Sequence, residues 1–275
     1  MRQLNIPATA ERITAFLKRT LTEARFSRVV VAVSGGVDSA TSVALATTAL
    51  GPEAVFAISL PYQNWHVEAS QRAGGLLHQL QIPPWNVREI DIAPMVQAFA
   101  GSVGLQPPAE NRPADEDLDR VRLGNIMARV RMITLFDYAK QLSALVLGTE
   151  NKSEHYLGYY TRFGDEASDI EPLRNLYKTE IYQLAEHLEM PKEIREAVPS
   201  AGLWAGQSDE GQFGFTYETA DEILYGLYET GKSPQELIES GLDKNAIAQV
   251  QAWVAQMEFK HHLPFLAPEP VILSK

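Results

Sequence analysis

The sequence predicts an α/β protein with a doubly wound, mostly parallel sheet flanked by helices and a helical C-terminal part. Short, continuous apolar runs alternate with helical patterns, which is typical of parallel strands covered on both faces. A glycine-rich turn, S-G-G-V-D-S at 34–39, follows the first of these runs and opens a helix. The chain has 275 residues, 45% of them hydrophobic, so it can build a full core.

Each predicted strand is a short apolar run, and each predicted helix shows apolar residues at helical spacing. The strands are expected at 28–33, 54–60, 86–92 and 144–147. The helices are expected at 9–25, from the glycine-rich turn to residue 50, and at 67–80, 117–141, 175–188, 217–228, 234–240 and 244–260. Thr9 fits the N-cap of the first helix. Polar, glycine-rich loops are expected at 101–116, 148–170 and 198–216, in a single domain over 1–275 with a flexible tail from about residue 266.

Composition excludes several classes of function. The net charge of −11 disfavours general binding to nucleic acid. The chain has no cysteine, which removes disulfides, thiolate metal sites and a cysteine nucleophile. The N-terminus lacks an apolar signal core, and no apolar run approaches membrane length. A soluble cytoplasmic protein with no membrane partner is therefore expected.

The glycine-rich turn predicts a nucleotide phosphate site. Glycines let backbone N–H groups approach a phosphate closely, and a helix N-terminus adds about half a positive charge. Asp38 is compatible with phosphate if it holds Mg²⁺. The alternative is a structural turn in which Asp38 only caps the helix. The residues predicted to form the site are Ala32, Val33, Ser34, Gly35, Gly36, Val37, Asp38 and Ser39.

A second stretch, GLYETGKS at 226–233, matches the pattern of a P-loop. A P-loop must follow a strand, whereas this stretch follows a helical run. Gly231 instead fits a helix C-cap. Ser233, Pro234 and Glu236 fit an N-cap, a first helical position and a capping-box acid. We therefore interpret this stretch as structural.

Three further patterns are ambiguous in isolation. Arg122, Asn125 and Arg129 share a helix face, which Arg131 does not join, and that face fits either a binding surface or a solvated surface. His261 and His262 fit a surface pair better than a metal site. Charged residues concentrate just after the fourth predicted strand, where they fit either an anion-plus-metal site or an ordinary polar loop. They are Glu150, Lys152, Glu154, Arg162, Asp165, Glu166 and Asp169.

Ordered motifs along most of the chain resemble one family. S-G-G-V-D-S resembles the phosphate loop of N-type ATP pyrophosphatases, which cleave ATP between the α and β phosphates. From about residue 29 to 264, the chain resembles the ammonia-dependent NAD synthetase family of that superfamily. The matching stretches are NIMARVRM (125–132), GTENKSE (148–154), LGYYTRFGDEASDIEPL (157–173), LYKTEI (176–181), PSAGLW (199–204) and QSDE (207–210).

The resemblance implies an adenine nucleotide alpha-hydrolase-like fold and a homodimer. It implies that ATP activates the nicotinate carboxylate of deamido-NAD as an adenylate, releasing pyrophosphate, and that ammonia then displaces AMP to give NAD. The loop at 34–39 would hold the departing pyrophosphate together with Mg²⁺. Free ammonia is the expected nitrogen donor, because the chain offers no glutaminase cysteine, unless a separate glutaminase subunit associates.

The resemblance also implies roles position by position. Asp38 and Glu154 resemble Mg²⁺ ligands, and Asp165 resembles a group that orients or deprotonates ammonium. The implied ATP contacts outside the phosphate loop are Thr149, Lys178 and Ser200. The implied deamido-NAD contacts are Arg129, Arg162, Asp169 and Lys260.

The chain departs from the family pattern at three of these places. Ser200 stands where the family often has threonine, which keeps the hydroxyl group. Arg162 replaces the usual lysine, which keeps the charge but changes its geometry. Phe259 replaces the histidine of the usual His-Lys-Arg run near the C-terminus. The histidine contact to the dinucleotide that the resemblance implies is therefore not expected at this position.

Two alternatives remain open at this point. One is another adenylating enzyme with the same loop, such as a GMP synthetase module or a tRNA-thiolating enzyme. The absence of cysteine and the acidic charge disfavour a tRNA thiolase, and TRFGDEASDI is not expected in a GMP synthetase. The other is a nucleotide-binding regulator without catalysis. Clustered acids disfavour it, because a protein that only binds anionic nucleotides gains little from them.

Overall fold

A computed structural model describes residues 2–63, 67–105, 118–204, 206–262 and 264–268. Within these residues the centre of the fold is a four-stranded, fully parallel sheet in the order β3-β2-β1-β4. Its strands are β1 Val29–Ala32, β2 Val55–Ser59, β3 Val87–Glu89 and β4 Leu145–Leu147. Val31 of β1 pairs with Ala57 on one side and with Leu147 on the other. The predicted strands are confirmed, although each is shorter at its ends.

Helices flank the sheet and build the C-terminal part. Those up to β4 are α1 Ile6–Ala24, α2 Val37–Leu50, α3 Val67–Gln79, α4 Ala93–Ser102 and α5 Leu118–Leu142. Those after β4 are α6 Lys152–Leu157, α7 Lys178–His187, α8 Lys192–Arg195, α9 Asp209–Phe213, α10 Tyr217–Leu224, α11 Pro234–Glu239 and α12 Lys244–Met257. A π-helical turn, Tyr225–Glu229, extends α10, and a 3-10 turn, Glu258–Lys260, follows α12.

The structure corrects several predicted boundaries. Asn5, not Thr9, caps α1, because the Asn5 side chain accepts a hydrogen bond from the Ala8 amide at 3.1 Å. The sequence analysis missed α4, whose C-terminal turn includes Gly101 and Ser102 of a predicted loop. It also missed the short helices α6 and α9 inside two predicted polar loops. The rest of the first loop, residues 106–116, and residues 269–275 of the predicted tail lie outside the described residues.

The sheet separates two layers of the core, and the alternating side chains of β1 contribute to both. Val29 and Val31 point to one face, where they join α1, α2 and α7. Val30 points to the opposite face, where it packs with residues of α4 and α5. Because β2 and β4 lie on either side of β1, the strand order reverses at β1. Ligands of doubly wound proteins bind at the carboxyl ends of the strands at such a reversal.

A third core unites the helices that follow β4. It contains buried residues of α6, α9, α10, α11 and α12, and it surrounds the fully buried ring of Tyr177 at the start of α7. This core holds α6 and α7 together through their contacts with α10. In the part of the chain that the structure describes, no helix is long and apolar enough to cross a membrane.

The GLYETGKS stretch is structural, as the sequence predicts. It begins in the π-helical turn after α10, and Gly226 lies so close to Leu237 that a Cβ would meet it at 2.5 Å. Ser233 caps α11 in a capping box with Glu236, and Pro234 takes the first helical position. The stretch therefore connects two helices and does not follow a strand.

Candidate active site

The turn between β1 and α2 is shaped to receive an anion. Gly36 caps α2 without a side-chain hydrogen bond, so the first-turn amides are left for a ligand. The Ser39 hydroxyl accepts from the Ser34 amide at 3.2 Å and donates to the Gly36 carbonyl at 3.1 Å. These hydrogen bonds fold the turn around the N-terminus of the helix.

Gly35 lets helix α3 pack directly on this turn. Its φ is +80°, and a Cβ there would lie 2.1 Å from the Ala69 carbonyl oxygen. A larger residue would push α3 away or strain the backbone. Arg72 of α3 donates to the Gly35 carbonyl at 3.2 Å, which places a guanidinium beside the turn. No local sequence pattern indicates Arg72, because its position follows only from the packing of α3.

Three predicted residues meet at the start of α2. The Lys178 ammonium lies 2.5 Å from Asp38 Oδ2 and 3.5 Å from Glu154 Oε1. The Asn151 amide donates to Asp38 Oδ1 at 2.9 Å. Asp38, Glu154 and Lys178 lie in the first turns of α2, α6 and α7, respectively. Asn151 is the N-cap of α6. The structure therefore brings together the two predicted metal ligands and one predicted ATP contact.

The electrostatics of this trio favour an added cation. Burial and the nearby Asp38 carboxylate raise the pKa of Glu154 to about 8. Burial alone would lower the pKa of Lys178, but Asp38 and Glu154 raise it above its ordinary value. The single positive charge of Lys178 thus neutralises only part of the negative charge of Asp38 and Glu154.

These carboxylates fit Mg²⁺. Magnesium in nucleotide sites is held by one or two carboxylates plus the phosphates of the substrate. Asp38 and Glu154 supply two such oxygen donors beside the phosphate turn. Among the residues that the structure describes, no group of three or more acidic or histidine side chains could hold a metal by itself. A magnesium ion here would therefore need oxygens from the bound nucleotide.

A buried network behind this trio fixes the helices that carry it. Asp221 of α10 is fully buried and accepts from the Ser153 hydroxyl, the Thr179 amide at 2.9 Å and the Thr179 hydroxyl at 2.8 Å. Ser153 also accepts from the Lys178 amide at 2.8 Å. Asp221 and Ser153 are not among the predicted site residues, because no local pattern joins residues this far apart in the chain.

The other predicted ATP contacts lie on two loops. Thr149 follows β4, and the Ser42 hydroxyl of α2 donates to the adjacent Gly148 carbonyl at 3.1 Å. This bond joins the end of β4 to α2, and the role of Thr149 as an ATP contact stays a prediction. Ser200 is exposed, and its hydroxyl accepts from the Gly202 amide at 3.1 Å. Its role as an ATP contact stays a prediction.

Three of the four predicted deamido-NAD contacts lie close together. Arg129 of α5 donates to the Arg162 carbonyl at 3.2 Å. The Arg162 guanidinium lies 4.9 Å from the centre of the Phe259 ring. Lys260 donates to the Gly158 and Tyr160 carbonyls at 2.6 and 2.7 Å. These cations therefore share one surface, although each already has a partner within the chain.

Asp169 and Asp165 are held by backbone amides. Asp169 accepts from the Val146 amide at 2.8 Å, beside a single parallel bridge between Leu147 and Ile170. Asp165 accepts from the Thr161 amide at 2.9 Å, and burial of its carboxyl raises its pKa. Contact of either side chain with a substrate stays a prediction.

The structure also shows the contacts of the charged face of α5 and of the histidine pair at 261 and 262. On α5, Arg129 contacts residue 162, and Asn125 accepts from the Thr161 hydroxyl at 2.8 Å, so this helix face contacts the loop after β4. Arg131 points elsewhere and donates to the Leu60 carbonyl at 3.1 Å. His262 pairs with Glu258 at 2.9 Å, whereas His261 packs against His155. The two side chains therefore contact different groups of the chain.

The fold and site define a doubly wound α/β protein with a glycine-rich turn, shaped to receive an anion, at the point where the strand order reverses. Comparison with known proteins gives the family. A family model described as NAD synthase matches residues 9–264. The chain is 41% identical to the NH(3)-dependent NAD(+) synthetase of Thermococcus kodakarensis, over 98% of this chain and 100% of that protein. This chain belongs to the NAD synthase family, as its motifs indicate.

Two solved structures support the same assignment. The NMN synthetase of Francisella tularensis is similar with a TM-score of 0.81 and 31% identity, over 98% of this chain and 100% of that one. The NH3-dependent NAD synthetase of Campylobacter jejuni is similar with a TM-score of 0.74 and 30% identity, over 99% and 100% of the two chains. The similarity therefore extends over the whole fold and not only over the motifs.

Proposed function

We propose that this protein is a ligase that forms a C–N bond, converting deamido-NAD to NAD with ATP and ammonia. The observation that carries the proposal is the meeting of Asp38, Glu154 and Lys178 beside the phosphate turn. Its chemistry is adenylation. A carboxylate oxygen of the substrate attacks the α phosphorus of ATP, the bond to the bridging oxygen breaks, and pyrophosphate leaves. Ammonia then attacks the activated carboxyl carbon and AMP leaves.

The chain's own residues stabilise the charge that moves onto pyrophosphate. The first-turn amides of α2 and the turn at 34–36 provide oriented N–H groups for its oxygens. Lys178 carries a fixed positive charge at the same place, and Arg72 carries a second one nearby. Preorganised donors of this kind contribute about 3 kcal/mol each to catalysis. The site thus favours cleavage between the α and β phosphates.

Magnesium fits this scheme as the bound cofactor. Asp38 and Glu154 would hold it, and it would neutralise the phosphate charge that these carboxylates otherwise oppose. Three further expectations belong to the proposal: a homodimer, a cytoplasmic location and free ammonia as the nitrogen donor. The absence of cysteine supports the last, because a glutaminase of the cysteine type needs that nucleophile.

A product assay tests the proposal. Purified protein with ATP, Mg²⁺, deamido-NAD and ammonium is expected to form NAD, AMP and pyrophosphate in equal amounts. Glutamine in place of ammonium is expected to give little NAD. Release of ADP would contradict the assignment of the phosphate turn. ATP binding without any turnover would favour the alternative of a nucleotide-binding regulator without catalysis.

A mononucleotide substrate is the second candidate. One of the similar solved structures, from Francisella tularensis, is named an NMN synthetase. Phe259 stands where the family pattern has a histidine, and the Arg162 guanidinium lies over its ring. Lys260 is already bonded to two carbonyls. These observations favour a smaller acid, the deamidated form of NMN.

Parallel kinetics decide between the two substrates. The ratio of kcat/KM for deamido-NAD and for nicotinate mononucleotide is measured at saturating ATP and ammonium. A ratio above about ten supports the dinucleotide, since tenfold corresponds to about 1.4 kcal/mol of binding. A ratio below one assigns the enzyme to the mononucleotide.

A further inference from the structure

The loop that carries Ser200 has a built support, which the proposed mechanism does not use. This loop, residues 199–204, is called here the Ser200 loop. The Asp209 carboxylate accepts from the Ala201 amide at 3.0 Å, and the Asp209 amide donates to the Pro199 carbonyl at 3.0 Å. Ser200 lies between these two bonded positions, and it is exposed. Asp209 therefore fixes the backbone on both sides of a predicted ATP contact.

Two further contacts hold the other half of the Ser200 loop. Gln207 Oε1 accepts from the Leu203 amide at 2.7 Å. The Leu203 side chain packs on α5 at Gly124, where a Cβ would lie 3.0 Å from Leu203 Cβ. Glycine inside a helix is destabilising relative to alanine, so its presence here fits the close approach of the loop. The Ser200 loop is thus anchored at both of its ends.

Tyr217 connects Asp209 to the site of the phosphate turn. The Tyr217 hydroxyl donates to Asp209 Oδ2 at 3.1 Å. The Lys178 ammonium lies 5.0 Å from the centre of the Tyr217 ring. All three residues are buried, so close packing fixes their relative positions. The support of the Ser200 loop is therefore continuous with the lysine that is proposed to face the nucleotide phosphates.

The chemistry of Asp209 fits a support better than a ligand contact. Its two oxygens accept from different donors, the Ala201 amide and the Tyr217 hydroxyl, and only a carboxylate offers an acceptor to each. Burial raises the pKa of Asp209, although Lys178 and the hydrogen bond from Tyr217 oppose the rise. A negative charge at this place would repel a phosphate. The carboxylate therefore acts on the backbone of the loop and not on the nucleotide.

We propose that Asp209 is a positioning residue for ATP, because it holds the Ser200 loop at a fixed place relative to Lys178. The nucleotide that meets Lys178 then also meets the Ser200 hydroxyl. A loop that is anchored in advance need not be ordered when the nucleotide binds, and this preorganisation increases affinity. The inference rests on the proposed function and adds a residue that acts on ATP binding without touching ATP.

The test separates ATP binding from catalysis. Asp209→Asn keeps the size of the side chain but offers one acceptor to two donors. Its Kd for ATP with Mg²⁺, measured by calorimetric titration without deamido-NAD, is expected to rise about tenfold, or about 1.4 kcal/mol. The KM for ATP is expected to rise in parallel, whereas kcat and the KM for deamido-NAD stay within about twofold. Asp243→Asn removes the same charge from the exposed N-cap of α12 and is the matched control.

A double-mutant cycle tests whether Asp209 acts through the loop. Ser200→Ala alone is expected to raise the Kd for ATP about tenfold, because the hydroxyl contact is lost. In the Ser200→Ala background, Asp209→Asn is expected to raise it by less than about threefold further, since the contact that it positions is already gone. Effects that multiply in full would show two independent roles and would contradict the inference.

The remaining outcomes are distinct. If wild-type protein binds ATP but forms no NAD, the proposed function fails, and the Kd values still decide the inference; absence of ATP binding overturns both. Asp209→Asn protein that melts at a lower temperature but keeps its Kd for ATP would show a role in the fold only. If Asp209→Asn does not fold, Tyr217→Phe decides, because it removes one donor to Asp209 and keeps the ring beside Lys178. Its Kd for ATP is expected to rise at least threefold, and a value equal to that of the control Tyr225→Phe overturns the inference.

Discussion

At the scale of single residues, Asp38 connects the phosphate turn to the rest of the site. It stands in the first turn of α2, where an acid is favourable to the helix dipole but unfavourable to a bound phosphate. Its two oxygens are occupied by Lys178 and by Asn151. An acid used only as a helix cap would not need partners from two other segments. The contacts therefore favour a role in nucleotide chemistry over the capping alternative.

Replacing Asp38 by asparagine tests that role. Asp38→Asn keeps the shape and the contact with Asn151 but removes the charge, so kcat is expected to fall on the order of 10³-fold while the protein stays folded. Steady-state rates and circular dichroism measure the two effects. Asp137→Asn, on the exposed side of α5, is the control and is expected to behave as wild type. Rates near wild type in Asp38→Asn would leave Asp38 with only a structural role in the first turn of α2, whose N-cap is Gly36.

At the scale of elements, hydrogen bonds to α10 position the N-terminal turns of α6 and α7. Asp221 holds Ser153 and Thr179, which adjoin Glu154 and Lys178 in the chain. Burial raises the pKa of Asp221 to about 6, although hydrogen bonds from Ser153 and Thr179 oppose the rise. The carboxylate thus remains the acceptor at neutral pH.

Removing this acceptor is expected to affect stability and ATP binding together. Asp221→Ala removes the acceptor of the Ser153 hydroxyl, the Thr179 hydroxyl and the Thr179 amide, which is expected to lower the free energy of unfolding by about 3 kcal/mol. Asp221→Asn keeps one acceptor and is expected to lose less. Urea unfolding and the KM for ATP are the measurements. An Asp221→Asn protein of lower stability but unchanged KM for ATP would show that the network supports only the fold.

The turn between α10 and α11 gives a matched pair of variants. Lys232 is exposed and lies in the sequence that imitates a P-loop, so Lys232→Ala is expected to leave ATP binding unchanged. Ser233→Ala removes the N-cap of α11 and is expected to lower the free energy of unfolding by about 1 kcal/mol. Calorimetric ATP titration and urea unfolding measure the two effects. A large loss of ATP affinity in Lys232→Ala would revive the P-loop interpretation.

These elements show what local sequence predicts. The strands, the phosphate turn, the shared face of Asn125 and Arg129 and the cap at Ser233 follow from spacing within a few residues, and the structure contains them. Short helices such as α6 were missed, because their stability comes from packing in the third core and not from periodicity.

The site was predicted in part, mainly through the family resemblance. The resemblance named Asp38, Glu154 and Lys178, and the structure places them in contact. It gave no sign of Asp221 or Arg72, whose roles depend on segments that meet only in the folded chain. A buried acid that pairs across such a distance has no local signature.

At the scale of the whole molecule, buried acids make stability depend on pH. Burial raises the pKa of Glu171 to about 7 and that of Glu150 to about 9, both above the ordinary glutamate value of 4.5. The folded state therefore holds protons that the unfolded chain releases between about pH 4.5 and pH 9. By linkage, stability falls as pH rises through this range. The net charge of −11 adds self-repulsion in the same direction.

The ligand-free protein is accordingly expected to melt at a lower temperature at pH 9 than at pH 6. Differential scanning calorimetry across this range measures the slope. Glu150→Gln cannot titrate at that position and is expected to flatten the slope between pH 7 and pH 9. A Tm that is constant or rises across the range would show that these acids are compensated in the folded state.

The central claim is that the protein activates a carboxylate by adenylation, and isotope transfer tests it most directly. Deamido-NAD labelled with ¹⁸O in its nicotinate carboxylate is converted with ATP and ammonium, and the AMP is examined by mass spectrometry. The account predicts one ¹⁸O atom in each AMP formed, because the carboxylate oxygen that attacks the α phosphorus leaves with it. AMP without label, or label in inorganic phosphate with release of ADP, would contradict the account.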